Sequence, residues 1–176
     1  VIDTETKASV TVDFTKFDSK RDEMCADGIV LKKGTAPSAD LEPEYIAVCG
    51  GKAYVALQEA NAVAVLDIDS LQFENIFSLG FENHSSVAID LDKSDGTYNP
   101  KTYENVKGIR MPDGIAAAVI DGETYLLAAN EGDSRVWPAD TETDTNEIKS
   151  KTSPVGGISV GGKVTWFDVS QYDCLE

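Results

Sequence analysis

The chain has 176 residues, of which 41% are hydrophobic and 26% charged, a composition typical of a folded globular domain rather than a disordered chain. Its 31 acidic and 15 basic residues give a formal net charge of −16, and the absence of any Lys/Arg cluster excludes a nucleic-acid-binding surface. Cations and basic partners are the expected ligands, although acidic surfaces also serve solubility alone.

Two features bear on the cellular compartment. No apolar run approaches the roughly 20 residues that span a bilayer, and the chain starts at Val1 with neither a signal peptide nor an initiator Met, so we interpret it as trimmed. The three cysteines, Cys25, Cys49 and Cys174, lack C-x-x-C spacing, which argues against a zinc or redox motif. One disulfide and one thiol is the simplest secreted arrangement, with Cys25 and Cys174 as our choice of pair.

The first 42 residues contain two predicted elements. Alternation over residues 8–14 predicts the outer strand of a preceding unit. A short helix is predicted around residues 18–26, where Asp18 or Ser19 can cap its start and Gly28 can end it.

A cryptic internal repeat is the clearest signal of organisation. Residues 43–48 match residues 112–117, and after a glycine-containing turn residues 53–59 match residues 124–131. Each copy then reaches a third apolar run that ends in Asp. Short apolar runs joined by two-residue glycine turns are typical of antiparallel hairpins.

The repeat predicts an all-β fold, a β-propeller fragment of about two four-stranded antiparallel blades with long insertions and one short N-terminal helix. The predicted strands are 44–49, 52–58, 62–68 and 72–79 in the first copy, and 113–120, 123–129 and 163–169 in the second. The predicted organisation is a preceding blade end and helical connector at 1–42, a first blade at 43–80, an insertion at 81–111, and an incomplete second blade at 112–176 with an insertion at 130–162.

A propeller closes with roughly four to eight blades, so two blades leave the ring open. We therefore expect the remaining blades of the same propeller, or neighbouring chains of an assembly, as partners.

Five segments carry a resemblance to a known family: Leu-Glu-Pro-Glu-Tyr-Ile-Ala-Val at 41–48, Ala-Tyr-Val-Ala-Leu-Gln-Glu at 53–59, Asn-Ala-Val-Ala-Val-Leu-Asp at 61–67, Pro-Asp with Ile-Ala at 112–116, and Ala-Asn-Glu-Gly-Asp-Ser-Arg at 129–135. With these words the sequence resembles the choice-of-anchor I family of extracellular β-propellers, which includes mesenchyme-specific cell-surface glycoproteins of biomineralising animals and many bacterial surface proteins. The resemblance implies an extracellular or cell-surface location, a role in surface or matrix assembly, and blades beyond this chain. Cys49 departs from the pattern, where a small residue is expected.

Strand order concentrates acids at one mouth of the predicted channel. In an antiparallel blade the start of the first strand and the end of the second lie on the same face, and both long insertions emerge there. Ca²⁺ prefers six to eight oxygen ligands, which such a mouth can supply. The predicted metal ligands are Glu44, Glu59, Asp113, Asn130, Glu131 and Asp133. The alternative is that Glu44 and Glu59 cap strands or pair with Arg110 and Arg135.

A second, weaker calcium candidate lies in the insertion. Asp90, Asp92 and Asp95 alternate with other residues as in a calcium loop, but the glycine at 96 is displaced from the EF-hand position and no glutamate closes the loop. A solvated acidic turn is the alternative interpretation.

Catalytic motifs are sparse. His84 is the only histidine, it lies in a polar segment typical of the surface, and no G-x-S-x-G motif is present. Propeller phytases and alkaline phosphatases nevertheless hydrolyse phosphomonoesters with carboxylate-held calcium, so a calcium-dependent phosphoesterase is the enzymatic alternative. Its phosphate-binding cations would be Lys107, Arg110 and Arg135.

Two surface features and one core feature complete the predictions. Asn83 begins an Asn-His-Ser sequon and is predicted to be exposed and glycosylated if the chain is secreted. Trp137, in an acidic loop, is a candidate contact to a partner. The strand aromatics are predicted to pack in the core; they are Tyr54, Tyr125, Trp166 and Phe167.

The favoured function is therefore a non-enzymatic, calcium-binding surface or matrix module. The two alternatives are the phosphoesterase and a structural subunit of an extracellular filament or coat.

Overall fold

A computed structural model describes residues 1–91 and 96–131, together with the backbone of four short strands in the region that follows. A 3₁₀ segment, Thr15–Lys20, leads into helix α1, Arg21–Ala26, and a one-turn helix α2 spans Pro37–Asp40. A second 3₁₀ segment spans Gln58–Ala60. The rest of the regular structure is β, as the sequence predicts.

Twelve strands are present in the described residues. They are β1 (Ile46–Cys49), β2 (Lys52–Leu57), β3 (Ala62–Asp67), β4 (Gln72–Ser78), β5 (Phe81–Asn83), β6 (Lys107–Ile109), β7 (Pro112–Ile120), β8 (Glu123–Asn130), β9 (Glu147–Ser150), β10 (Pro154–Val155), β11 (Ile158–Ser159) and β12 (Val164–Phe167). All pairings among them are antiparallel.

The first repeat copy forms one four-stranded meander in the order β1-β2-β3-β4. Its strands match the predicted segments to within two residues at each end, because their alternation and their turns are local signals. Along β2, Ala53, Val55 and Leu57 point into a core that also contains Phe14 and Phe17 from the N-terminal region. The 3₁₀ segment and α1 thus cover this face of the sheet.

Both repeat copies begin with a hairpin closed by the same kind of turn. Gly50 and Gly51 have φ of 57° and 76°, and Asp121 and Gly122 have φ of 52° and 86°. Two consecutive residues with positive φ are what a two-residue type I′ turn needs, and this turn matches the twist of paired strands. The predicted glycine turns are confirmed.

The second copy forms the hairpin β7–β8, with β7 lying alongside β1 and β2. Pro112 pairs with Asn130 and Ile115 pairs with Ala128, so β7 carries one extra residue at Asp113–Gly114. Such a bulge bends the strand and re-aims its side chains. The first strands of the two repeat copies are therefore spatial neighbours.

The third strand of the second copy, predicted at residues 163–169, is present as β12, but its pairing differs from the predicted place beside β8. β12 pairs with β9 instead, and β7–β8 is a two-stranded sheet among the strands that the structure describes. Fewer residues separate β9 from β12 than separate β8 from β12, and a shorter loop loses less entropy on closure.

The N-terminal predictions need three corrections. Residues 8–14 form no strand, only the isolated bridge between Ile2 and Ser9, and the segment instead brings Phe14 against Phe73, with ring centroids 4.3 Å apart. The helix begins earlier, as a 3₁₀ turn, and neither Asp18 nor Ser19 caps it. The carboxylate of Asp18 accepts hydrogen bonds from the amide and hydroxyl of Ser38, a tertiary partner that outcompetes the local cap.

The insertion at 81–111 contains a strand pair that the sequence analysis did not predict, formed by β5 and β6. His84, which directly follows β5, is 7% exposed rather than a surface residue. Its Nδ1 lies 3.0 Å from the carbonyl oxygen of Val87, which satisfies a ring nitrogen inside the protein.

The core packing predicted for the strand aromatics is not found at the two positions whose side chains are described. Tyr54 is half-buried and lies outside the core cluster, since Ala53 and Val55 take the core face of β2, and Tyr125 is 50% exposed because β8 has one neighbouring strand in the described structure. The side chains of Trp166 and Phe167, and all of Trp137, lie outside the described residues.

Candidate functional site

The acidic residues of the first repeat copy lie at the end of β2. Glu44 precedes β1, and its amide donates to the carbonyl of Ala56 at 3.0 Å, while the amide of Ala56 donates to Tyr45 at 2.8 Å. This pairing extends the β1–β2 ladder beyond the strand and brings Glu44 to the end of β2. Glu59 follows β2 directly, in the 3₁₀ segment.

The acidic residues of the second copy reach the same place from β7 and β8. Asp113 lies in the bulge of β7, and Glu131 follows the last residue of β8. The amide of Glu131 donates to the carbonyl of Met111 at 3.1 Å, which keeps the end of β8 beside the start of β7. We call Glu44, Glu59, Asp113 and Glu131 the acidic cluster.

The pKa of Glu44 shows that this residue interacts with the other carboxylates of the acidic cluster. Partial desolvation raises the pKa of Glu44, and repulsion from Glu59, Asp113, Glu42 and Glu131 raises it further. Every one of these contributions favours the protonated form of Glu44, and none comes from a cation. Strand order alone predicted this convergence, and the structure brings these four residues together.

The ion-pair alternative fails for Arg110. Its guanidinium lies 3.2 Å from Oε2 of Glu82, in the insertion, rather than against Glu44 or Glu59. Oε2 of Glu59 is buried without a hydrogen-bond partner among the residues that the structure describes. Arg135, the other predicted partner, lies outside those residues.

The cluster is not a preassembled metal cage. Within residues 1–91 and 96–131, no three His, Cys, Asp or Glu side chains are arranged to hold a metal ion. Glu44, Glu131 and Asn130 are exposed, while Asp113 and Glu59 are half-buried. Asp133 lies outside the described residues, so the predicted six-ligand set stays a prediction.

The weaker calcium candidate is only partly described. Oδ2 of Asp90 accepts a hydrogen bond from the amide of Asn99 at 2.8 Å. Asp92 and Asp95 lie outside the described residues.

Asn83 is exposed, as predicted. Its Oδ1 accepts hydrogen bonds from the amide and hydroxyl of Ser85, at 3.0 and 2.8 Å, so the sequon forms a tight Asx turn on the surface. Glycosylation itself stays a prediction.

The thiols of Cys25 and Cys49 are free within the described structure. Cys174, the expected partner of Cys25, lies outside it.

Two polar residues at the cluster escaped sequence reasoning. Nε2 of Gln58 donates to Oε2 of Glu131 at 3.2 Å, and Asn61, which is fully buried, joins the end of the 3₁₀ segment to Met111. For Asn61 the sequence offers one weak signal, the residue type itself, because Asn is enriched in the left-handed conformation. Asn61 adopts that conformation, with a φ of 52°.

A family model described as the choice-of-anchor I domain matches residues 1–167. No curated protein and no solved structure matches the chain. The family match indicates a surface-associated, β-rich protein of the cell surface or extracellular space.

None of the helices in the described part of the chain is long and apolar enough to cross a membrane.

Proposed function

We propose a function for this chain, which belongs to the choice-of-anchor I family: it is a non-enzymatic β-propeller module. Its acidic cluster binds Ca²⁺, and the module acts in surface or matrix assembly or in adhesion. The observation that carries the proposal is the set of neighbouring carboxylates: repulsion within the set raises the pKa of Glu44, and an oxygen of Glu59 is buried without a partner among the residues that the structure describes.

The propeller architecture is supported by the arrangement of the two repeat copies. A four-stranded meander and a neighbouring hairpin place their first strands, β1 and β7, side by side. Neighbouring blades of a propeller have their innermost strands in this relation.

The chemistry of the donor set favours a hard cation. Carboxylates that repel one another are stabilised by a bound cation, and oxygen donors without nitrogen or sulfur suit Ca²⁺ better than a transition metal. Glu44 and Glu131 are exposed and can turn toward an ion, while Asn130 adds a neutral oxygen at the same strand end. Calcium would supply charge neutralisation and a link between the two repeat copies.

The enzymatic alternative has weaker support among the described residues. Arg110 pairs with Glu82, and Nζ of Lys107 lies over the ring of Phe81, 5.9 Å from its centroid. Both cations are thus engaged in the insertion rather than placed to hold a phosphate beside the acidic cluster.

The test is calorimetric titration of the full chain with Ca²⁺, and thermal melting with calcium or with chelator. We expect saturable binding, and stabilisation of about 2.7 kcal/mol when free calcium is 100 times its Kd, because the ion binds the folded state. In Glu44→Gln the calcium-induced rise in Tm should shrink. Glu104→Gln, which removes an exposed acid elsewhere, should behave as wild type.

Equal Tm values for the wild type in calcium and in chelator would contradict the proposal. A phosphomonoester assay with calcium separates the enzyme: turnover that is lost in Glu44→Gln would replace the binding module by the phosphoesterase.

A further inference from the structure

Four residues at the acidic cluster form a closed circuit of hydrogen bonds. Gln58 donates through Nε2 to the carboxylate of Glu131 at 3.2 Å, and the amide of Glu131 donates to the carbonyl of Met111 at 3.1 Å. The amide of Met111 donates to Oδ1 of Asn61 at 3.1 Å, and the amide of Asn61 donates to the carbonyl of Gln58 at 2.9 Å. The circuit therefore passes from the first repeat copy into the second and back.

Asn61 is the buried member that crosses between the copies. It is 0% exposed, and both ends of its side-chain amide are used, since Nδ2 also donates to the carbonyl of Gly80 at 2.9 Å. A buried amide that lost one of these partners would pay the desolvation penalty of an unsatisfied group. Breaking the circuit at Asn61 would therefore cost free energy.

The positions of the other members explain what the circuit controls. Met111 directly precedes β7 and lies two residues before Asp113, while Glu131 directly follows β8. Gln58 directly follows β2 and is adjacent to Glu59. The circuit consequently holds the start of β7 and the end of β8 against the end of β2.

We propose that Gln58 and Asn61 are positioning residues, whose hydrogen bonds hold Glu131 and Asp113 of the second copy beside Glu44 and Glu59 of the first. The expected effect on calcium affinity rests on the proposed function, in which these carboxylates are the calcium ligands. Polar groups that orient ligating side chains typically contribute a 10- to 100-fold factor to metal affinity.

The chemistry of Gln58 suits this role. A neutral amide donates one hydrogen bond to Glu131 and leaves its negative charge in place, whereas Lys or Arg at this position would neutralise the carboxylate. Gln58 is 9% exposed, so its amide is held by its surroundings rather than by solvent. The acidic cluster is therefore held together without losing its charge.

The test uses three variants of the full chain. Gln58→Met keeps the length of the side chain and removes the donor. Asn61→Gly keeps the left-handed backbone, which Gly adopts readily, and removes the link to Met111. Gln72→Met, on the exposed edge of β4, is the matched control.

Two readouts are measured for each variant: amide hydrogen exchange in chelator, and calcium affinity by calorimetric titration. Exchange of the Glu131 amide should accelerate in Gln58→Met, and that of the Met111 amide in Asn61→Gly. The Ala56 amide, which is bonded within the first sheet, should keep its rate. Calcium affinity should fall by about tenfold or more in both variants and stay unchanged in Gln72→Met.

Each outcome decides a different claim. Unchanged exchange in both variants would overturn the circuit, and faster exchange with unchanged calcium affinity would reduce it to a purely structural contact. If the wild type bound no calcium, the proposed function would fail alone. The positioning role would then be decided by exchange: acceleration confined to Met111 and Glu131 supports it, and acceleration that includes Ala56 overturns it.

Discussion

Oδ2 of Asp67 lies 2.7 Å from Nζ of Lys52, its partner in the register of β2 and β3, and the same Nζ lies 2.7 Å from Oε1 of Glu74 on β4. One cation thus joins three adjacent strands. The hydrogen bonds that Lys52 donates to Asp67 and Glu74 raise its pKa to about 12, and the hydrogen bond that Asp67 accepts from Lys52 holds the pKa of Asp67 far below its ordinary value.

Replacing this carboxylate by Asp67→Asn should lower the free energy of unfolding at pH 7, because the variant loses the ion pair and weakens the turn at Ser70. The folded-state pKa of Asp67 is lowered. Its contribution to the free energy of unfolding is therefore present at pH values above the ordinary pKa of 3.8 and is lost as the pH falls below that value. Urea unfolding at pH 7 and pH 3 measures this. Asp69→Asn, a change in an exposed neighbour, should show no such difference.

Glu44→Gln should raise the free energy of unfolding at pH 7 in the absence of calcium, the opposite of the effect expected for Asp67→Asn. Desolvation and repulsion raise the pKa of Glu44, so the wild type gains stability as pH falls through that pKa, and the gain is complete below the ordinary value of 4.5. The variant should therefore be more stable than the wild type at pH 7, with the difference vanishing near pH 4. Melting in chelator across this range is the measurement. A less stable variant at pH 7 would mean that Glu44 makes a favourable contact instead.

Gly108→Ala tests the packing of the buried histidine. A Cβ at position 108 would lie 2.9 Å from Nε2 of His84, whose other ring nitrogen is bonded to Val87. We expect a loss of about 1–3 kcal/mol by urea unfolding, because overpacking forces the imidazole away from its partner. Gly114→Ala, where the added Cβ has no neighbour within 4 Å in the described part of the chain, is the control and should lose less.

Leu57→Ala tests the core beneath the first sheet. Leu57 is 0% exposed at the end of β2, and truncation of such a side chain costs about 2–5 kcal/mol through lost burial and a residual cavity. Leu127→Ala, at a position that is 58% exposed on β8, should change stability by no more than about 0.5 kcal/mol. Denaturant unfolding of both variants gives the comparison.

The strands and turns of both repeat hairpins could be predicted from the sequence. Gly50-Gly51 and Asp121-Gly122 can adopt the positive φ values of a type I′ turn, and alternation along β2 separates its core face from its other face, so both signals are read within a few residues. Strand direction then follows from the hairpins, which is why the convergence of Glu44, Glu59, Asp113 and Glu131 was predictable.

The hydrogen-bond partners of the polar side chains, in contrast, depend on how the sheets and loops pack against one another. Asp18 bonds Ser38 instead of capping its helix, Arg110 bonds Glu82 instead of the acidic cluster, and His84 is buried in a segment whose composition predicts exposure. Asn61 crosses 50 residues of sequence to reach Met111. Such choices depend on groups brought close by the packed sheets, and each competing local partner is comparably strong, so no pattern within a few residues distinguishes them.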